Sequence, residues 1–329
     1  MPILVTGGTG YVGGAIVRAL VGRGERVRVL ARQTSRTEPL ERLGVEIVRG
    51  DILDSDSLRA AIAGCELVFH AAAIYEFGMR DDRTLMRTEV EGTRNVLGAA
   101  LDLGAIKVVY TSTALVVGER RGEVGEERTP HRGYFLTRYE RAKFEAERAA
   151  LTYIERGLPV VFLKPAAVLG PGDLKPTGRA LVATVNGRLP ALFPGVLTVV
   201  DVEEVVAAHL AAATRPAGEH YIVAGHIVSV PELFGAACEL AGVRRPPVAP
   251  LAAARLYAAV TELWARRAGR TPLVARETVR LLAHGFRCTG AKAARELGLT
   301  YRPWRETLAR ALAWYWEQGL LVWRPATLG

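Results

Sequence analysis

A glycine-rich turn between an apolar strand and a helix is the feature that most constrains the fold of this chain. Residues 5–13 read Val-Thr-Gly-Gly-Thr-Gly-Tyr-Val-Gly and continue the apolar run 2–6. Gly7 permits a tight turn, Gly10 lets backbone approach a pyrophosphate, and Gly13 lets the helix pack closely on the strand. The first turn of such a helix offers free N–H groups to phosphate oxygens. The pattern predicts a dinucleotide site that includes Gly7, Thr9, Gly10, Tyr11, Val12 and Gly13.

Short apolar, β-branched runs alternate with helical patterns through the first 165 residues. We expect strands at 2–6, 26–31, 45–48, 67–70, 107–112 and 159–163, and helices at 12–22, 55–63, 85–103 and 139–156. Apolar strands that alternate with helices are typical of a parallel sheet covered on both faces. The sequence therefore predicts an α/β fold with a Rossmann-type, doubly wound parallel sheet, which binds ligands at the carboxyl ends of its strands.

Helical patterns dominate after residue 165. We expect helices at 180–187, 202–214, 230–241, 251–267, 271–284 and 304–317. We divide the chain into a dinucleotide-binding domain, residues 1–165, and a smaller, mainly helical substrate lobe, residues 166–329. This division allows later segments of the chain to return to the first domain. The helix at 251–267 is amphipathic and carries Trp264 with several arginines. We favour a packed lid helix there; a helix lying on a membrane surface is the alternative.

Composition narrows the class of protein. The chain has 329 residues, of which 50% are hydrophobic and 23% charged, as expected of a soluble globular enzyme. Its net charge of +9 comes from arginines spread along the chain, which favours attraction of anionic substrates over nucleic-acid binding. Cys65, Cys238 and Cys288 lie far apart, so we expect reduced thiols, no metal site and a cytoplasmic protein. We expect neither a signal peptide nor a membrane span.

Arg32, at the end of the second strand, indicates which dinucleotide is preferred. A site for NAD usually carries an acidic residue there, whereas an arginine pairs with a 2′-phosphate. We therefore expect NADP to be favoured over NAD, with Ser35 and Arg36 assisting; the alternative is that Arg32 stacks on adenine or is solvated. Asp51 is expected to accept hydrogen bonds from the adenine amino group. The other expected cofactor contacts are Ile52, Ala71, Ala72, Ala73, Thr111 and Pro165.

Tyr139 and Lys143 are four residues apart in a helical pattern, so they share one helix face. A free tyrosine has a pKa of about 10, and a nearby ammonium lowers it by favouring the phenolate. Such a pair suits proton transfer to or from a substrate oxygen. The fifth strand ends in Thr111-Ser112-Thr113, whose hydroxyls can donate to the same oxygen. These residues predict carbonyl reduction or alcohol oxidation, with Lys143 also holding the nicotinamide ribose.

The motifs, taken together and in order, resemble the extended short-chain dehydrogenase/reductases. The resemblance covers nearly the whole chain and rests on TGGTGYVG (6–13), GDILD (50–54), HAAA (70–73), EGTRN (91–95), YTSTALVVG (110–118), YERAK (139–143) and LGPGD (169–173). The chain is most similar to the dihydroflavonol-reductase-like branch and the hopanoid-associated sugar epimerases. The resemblance implies that Tyr139 is the acid/base and Lys143 its ribose-binding partner. It also implies that Thr113 takes the catalytic Ser/Thr position, with Ser112 as backup, and that the protein forms a homodimer.

The chain departs from the family pattern at two places. Glu89 stands where the family usually has Asn, and the sequence leaves the consequence open. Residues 165–167 read Pro-Ala-Ala where nucleotide-sugar enzymes commonly carry an Asn, which weakens the case for such a substrate.

The motifs are compatible with three functions. The leading one is an NAD(P)-dependent oxidoreductase acting on a carbonyl or alcohol of a small to medium organic molecule. The second is a nucleotide-sugar epimerase or dehydratase with tightly bound NAD, and the third a non-catalytic dinucleotide sensor. Loops at 74–80 and 172–194 are the candidate specificity loops. Their candidate substrate contacts, with the strand-end hydroxyl, are Tyr75, Phe77, Thr113 and Lys175.

Overall fold

Seven parallel strands form the central sheet of the computed structural model, which describes residues 1–78, 81–105, 107–269 and 271–322. In spatial order the strands are β3 (Glu46–Arg49), β2 (Val27–Ala31), β1 (Ile3–Thr6), β4 (Leu67–His70), β5 (Lys107–Thr111), β6 (Val160–Pro165) and β9 (His220–Val223). This order, with helices between successive strands, confirms the predicted Rossmann-type sheet.

Alternate residues of the strands enter two separate cores. Leu4 and Val68 point into one core, while Val5 and Phe69 point into the other. Helices cover both faces: α3 packs on α5 and α5 on α6 on one side, and α1 packs on α8 on the other. The helices of this first part are α1 (Tyr11–Gly22), α2 (Glu38–Glu41), α3 (Ser55–Ile62), α4 (Asp82–Met86), α5 (Gly92–Asp102), α6 (Arg138–Glu155) and α8 (Val202–Ala212).

The helix predicted at 85–103 is present as a continuous helical segment over 82–102, but it is not α-helical throughout. Its first part, α4, begins earlier than predicted because Asp81 accepts a hydrogen bond from the backbone N–H of Arg83 (2.9 Å) and caps it. A π-helical turn, Arg87–Glu91, then joins α4 to α5. Such a turn inserts an extra residue and changes the direction of the side chains that it carries. Glu89 lies in this turn.

The region after residue 165 contains strands as well as the predicted helices. A second sheet has the order β10 (His226–Ser229), β8 (Val196–Asp201), β7 (Ala167–Leu169), and β9 returns the chain to the first sheet. These strands were missed because short apolar runs beside helical patterns have no distinct period. The remaining helices are α7 (Pro176–Val185), α9 (Val230–Ala241), α10 (Leu251–Arg267), α11 (Arg276–His284), α12 (Ala291–Leu297) and α13 (Trp304–Glu317).

No helix in the described part of the chain is long and apolar enough to cross a bilayer. The three cysteines are buried and unpaired. The division of the chain at residue 165 remains a prediction.

Candidate active site

The glycine loop after β1 has the close contacts that its sequence predicts. Gly7 has a φ of +73°, a backbone conformation that favours glycine. A Cβ atom on Gly13 would lie 2.2 Å from the carbonyl oxygen of Gly7, so only glycine fits there. Gly10 precedes α1 without a capping side chain, which leaves the first N–H groups of this helix free for a phosphate.

A single cavity of about 670 Å³ extends from this loop along the carboxyl ends of the strands. Apart from Arg36, the predicted cofactor and substrate residues line it. From the first part of the chain these are Gly7, Thr9, Gly10, Tyr11, Val12, Gly13, Arg32, Asp51, Ile52, Ala71, Ala72 and Ala73, with Tyr75 and Phe77 beyond them. From the later strands and helices they are Thr111, Thr113, Tyr139, Lys143, Pro165 and Lys175. The structure thus brings the predicted residues together, and their roles remain predictions.

The end of the cavity beside β2 and β3 contains the residues expected near the adenine. Arg32 is exposed there and Ser35 is half-buried beside it, whereas Arg36 is not among the described residues that line the cavity. The Asp51 carboxylate accepts a hydrogen bond from the backbone N–H of Leu53 (3.0 Å). His70, the last residue of β4, is buried, and burial together with the Lys143 charge lowers its pKa to about 3. The ring is therefore neutral, and its Nδ1 lies 2.8 Å from the Thr6 hydroxyl.

Lys143 occupies a buried position at the centre of the cavity. Its ammonium lies 3.1 Å from a carboxylate oxygen of Glu89 and donates to the carbonyl oxygen of Thr111 at 3.0 Å. The same ammonium lies 5.2 Å from the ring centroid of Tyr110. Burial by itself lowers the pKa of Lys143, but Glu89, Tyr110 and Tyr139 together raise it above its usual value. Lys143 is therefore fully charged, and its ammonium is fixed in position by Glu89 and the carbonyl oxygen of Thr111.

Tyr139 is buried between Lys143 and two aromatic rings. Its ring centroid lies 5.1 Å from that of Tyr75 and 6.2 Å from that of Phe77. Burial raises the pKa of Tyr139, Lys143 lowers it, and the Glu89 carboxylate raises it again. The predicted lowering by Lys143 is therefore present, but in this closed environment burial outweighs it. Tyr139 is a protonated phenol ready to donate.

The three hydroxyls at the end of β5 have different partners. Thr111 Oγ1 lies 2.9 Å from the ring of His209, and the Ser112 hydroxyl donates to Glu147 at 2.6 Å. Thr113 makes only a long contact, in which the N–H of Leu115 donates to its oxygen at 3.4 Å. Among the three, Thr113 has its hydroxyl hydrogen free to donate into the cavity.

The far part of the cavity is apolar. The charged residues that line the cavity in the described chain are Arg32, Asp51, Lys143 and Lys175. Two further arginines of this region do not line the cavity: Arg179 pairs with Glu76, and Arg188 is exposed. We call this part the apolar chamber. It is lined by Leu115, Val168, Leu189, Leu192, Phe193, Leu197, Val230, Phe234, Leu273, Val274, Leu281, Leu282 and Phe286.

The geometry agrees with comparisons to known proteins. The profile of the NAD dependent epimerase/dehydratase family matches residues 3–224. The chain belongs to this family. It is 32% identical to a candidate dihydroflavonol 4-reductase of Synechocystis sp., over 96% of this chain and 94% of the relative. It is 35% identical to sterol demethylase protein B of Methylococcus capsulatus, over 98% of this chain and 100% of the relative. A crystal structure of a nucleoside-diphosphate-sugar epimerase from Pseudomonas aeruginosa superposes with a TM-score of 0.80 at 26% identity, covering 98% of this chain and 99% of that one.

Membership confirms the predicted extended short-chain dehydrogenase/reductase type, an NAD(P)-dependent oxidoreductase. Sequence reasoning missed two features of this family member. One is the Glu89–Lys143 ion pair, for which the Glu at an Asn position was the available signal. The other is the apolar chamber, because its walls come from separate segments at 189–197, 230–234 and 273–286. Met79 and Arg80, in the predicted specificity loop, lie outside the described residues.

Gly13→Ala tests the close approach in the glycine loop. The added methyl group has no space against the Gly7 carbonyl, so the loop must move away from the phosphate position. We expect dinucleotide affinity to fall by at least about tenfold, measured by fluorescence titration. Gly22→Ala, in the same helix with nothing within 4 Å of the new Cβ atom, is the control and should bind normally. Equal dinucleotide affinities for both variants would contradict the proposed role of the glycine loop in binding phosphate.

Proposed function

We propose that this family member is an NADP-preferring reductase of hydrophobic carbonyl compounds, with Tyr139 as proton donor. The observation that carries the proposal is that Tyr139 lines the same cavity as the glycine loop, the strand ends and the side chains of the apolar chamber. The residues present fit a dinucleotide, since the backbone packs closely at Gly7 and Gly13 and the small residues Ala71–Ala73 line the cavity beside this loop. When bound, NADPH supplies the hydride.

The chain's own residues then handle the substrate oxygen. Thr113 donates a hydrogen bond that orients the carbonyl oxygen and stabilises the negative charge that develops on it. Tyr139 donates its phenolic proton to that oxygen, so the product is an alcohol and Tyr139 is left as a phenolate. Lys143 stabilises this phenolate by its charge and holds a ribose hydroxyl of the cofactor.

Glu89 acts as a positioning residue for Lys143. One of its carboxylate oxygens accepts from the backbone N–H of Ile74 (2.6 Å), and the other contacts the Lys143 ammonium. A buried ammonium without a carboxylate tends to lose its proton, because burial disfavours the charged form. We infer that Glu89 keeps Lys143 charged through the catalytic cycle, a role that an Asn side chain cannot fill.

The preference for NADP rests on Arg32. Its side chain is exposed at the cavity edge and has no carboxylate partner among the described residues, so it is free to pair with a 2′-phosphate. Ser35 lines the same edge and offers a hydroxyl.

The hydrophobic substrate class rests on the apolar chamber. A nucleotide sugar brings a diphosphate, which calls for several cationic side chains. Of the cations that line the cavity in the described chain, Arg32 lies at the adenine end and Lys143 is paired with Glu89, which leaves Lys175. Apolar walls with a few polar groups suit an aliphatic or aromatic carbonyl compound.

A nucleotide-sugar epimerase is the second candidate, favoured by the solved relative of that class. Such an enzyme retains its dinucleotide between turnovers without net consumption. Dinucleotide that stays bound through purification supports it, whereas stoichiometric consumption of NADPH supports the reductase.

The substrate class is tested with a panel of aldehydes and ketones, following NADPH absorbance, and by calorimetry with uridine diphosphate. We expect measurable reduction of hydrophobic carbonyl compounds and only weak binding of uridine diphosphate. Micromolar affinity for uridine diphosphate without carbonyl reduction would reverse the order of the two candidates.

Tyr139→Phe removes the proton donor and keeps the aromatic packing. We expect kcat to fall by roughly 10²–10⁴ with nearly unchanged dinucleotide affinity. Tyr134→Phe, at an exposed tyrosine five residues earlier, is the control and should be fully active. Normal turnover in the Tyr139 variant would remove it from the mechanism.

Glu89→Gln tests the ion pair through the pH profile of kcat/KM. Carbonyl reduction needs protonated Tyr139, so activity is lost as pH rises through the pKa of Tyr139. The charged groups that face Tyr139 are Lys143 and Glu89, and Glu89 raises the pKa values of both Tyr139 and Lys143. Removing the carboxylate therefore lowers both pKa values, and the alkaline loss of activity should move to lower pH by about one unit.

The control for this change is Glu91→Gln, on the same π-helical turn, where the carboxylate is exposed and pairs with Arg87. Its pH profile should match that of the wild type. Glu89→Asn restores the usual family residue and should shift the profile in the same direction as Gln. An unshifted profile in both Glu89 variants shows that the carboxylate has no influence on the catalytic pair.

Arg32→Asp replaces a phosphate partner by a group that repels phosphate. We expect the ratio of kcat/KM for NADPH to that for NADH to fall by at least about tenfold. Arg42→Asp, at an exposed arginine outside the cavity lining, is the matched control for the change in surface charge. If both variants change the ratio equally, Arg32 does not read the 2′-phosphate.

A further inference from the structure

Helix α10 carries large apolar side chains on its outer face. Leu256, Val260, Leu263 and Trp264 are exposed, with Leu256 at 68% and Trp264 at 70%. Their spacing of four, three and one residues puts them on one side of the helix. A monomeric soluble protein rarely exposes a tryptophan and three aliphatic side chains together, and such patches mark interaction surfaces.

The inner face of the same helix is firmly packed, so the outer face is not a consequence of loose folding. Ala254, Ala258 and Ala265 are buried. The Thr261 hydroxyl donates to the carbonyl oxygen of Val274 (3.0 Å), and Glu262 accepts from Arg276 (2.7 Å). Glu262 is the only acidic residue of α10, and it is buried. The charges left on the outer side of this helix are therefore those of arginines.

An open, arginine-rich cleft lies beside this face, between α10, α11 and the start of α6. It measures about 880 Å³, and its arginines are Arg121, Arg138, Arg255, Arg266, Arg276 and Arg280. The cleft also holds Glu262 and Glu277, which pair with Arg276 and Arg138. Arg121, Arg255 and Arg280 have no carboxylate within 4.0 Å among the residues that the structure describes. Exposed apolar residues beside unneutralised arginines are complementary to a lipid surface, in which anionic headgroups cover an apolar interior.

The apolar chamber reaches the surface next to α10. Leu273, in the connection from α10 to α11, lines the chamber and is 37% exposed. Val274, Leu281 and Leu282 continue the chamber wall along α11. Leu273 therefore connects the chamber lining with the protein surface just beyond the end of α10.

We infer that the outer face of α10 docks on a membrane surface rich in anionic lipids, with Trp264 and its apolar neighbours entering the interface. The adjacent arginines contact the lipid phosphates. Tryptophan is favoured at the boundary between headgroups and acyl chains, and each arginine near an anionic surface adds attraction. Docking is independent of the reaction; the further step, that substrate enters the chamber from this membrane, rests on the proposed function.

Co-sedimentation with vesicles tests the docking directly on the full chain. We expect binding to vesicles of phosphatidylglycerol and phosphatidylcholine, weaker binding to phosphatidylcholine alone, and loss of affinity with added salt. The double variant Leu263→Ser/Trp264→Ser should bind at least about tenfold more weakly. Arg280→Glu should weaken binding to the anionic vesicles by at least about fivefold.

Leu103→Ser is the matched control, since it removes an exposed leucine at the end of α5, far along the chain from α10. It should bind vesicles like the wild type. The serine variants change only exposed positions, so thermal unfolding and reduction of a short, water-soluble carbonyl compound should be unaltered in them.

Other occupants of this face give different results. A Trp264-dependent dimer in ultracentrifugation, without vesicle binding, overturns the inference in favour of a second copy of the chain. Tight binding of free glycerol phosphate that survives Leu263→Ser/Trp264→Ser overturns it in favour of a soluble anion. Vesicle binding in a protein that reduces no carbonyl compound supports the docking and refutes the proposed function alone.

Discussion

Burial of the parallel sheet on both faces decides where this protein can open a cavity. Successive residues of β1 enter opposite cores, Leu4 on one side and Val5 on the other, so helices must cover both surfaces. Only the strand ends remain open, and in a parallel sheet all carboxyl ends share one edge. The glycine loop after β1, the alanines after β4 and the hydroxyls after β5 therefore meet in one cavity.

The same constraint explains how much the sequence predicts. Residues at strand ends must line the shared edge, so the cofactor part of the cavity follows from finding the strands, and β4 lies where its pattern predicts it. The apolar chamber does not follow, since its walls come from segments whose approach depends on tertiary packing. The strands of the second sheet were missed for a local reason: the run 196–201 continues directly into α8, and a few apolar residues fit either structure.

Glu89 shows how one substitution changes a site without changing the fold. Its contact with the N–H of Ile74 needs only an oxygen acceptor, which an Asn also supplies. Its second oxygen adds a negative charge beside Lys143 in a position closed to water. Burying two charges costs solvation free energy, which their mutual attraction and hydrogen bonds must offset. A pair retained under that cost at the centre of a cavity points to control of the Lys143 charge more than to stability.

Positively charged side chains are few in the cavity and numerous on the surface beside α10. The chain has a net charge of +9, yet the cations that line its cavity in the described residues are Arg32, Lys143 and Lys175, so most of the excess charge lies outside the cavity. Six arginines instead surround the cleft beside α10, where apolar side chains are already exposed. A substrate that fits an apolar chamber dissolves poorly in water and is concentrated in lipid. If α10 docks on a membrane as we infer, the basic and apolar groups outside the chamber and the few charges within it belong to one arrangement, in which an apolar compound reaches Tyr139 without crossing bulk water.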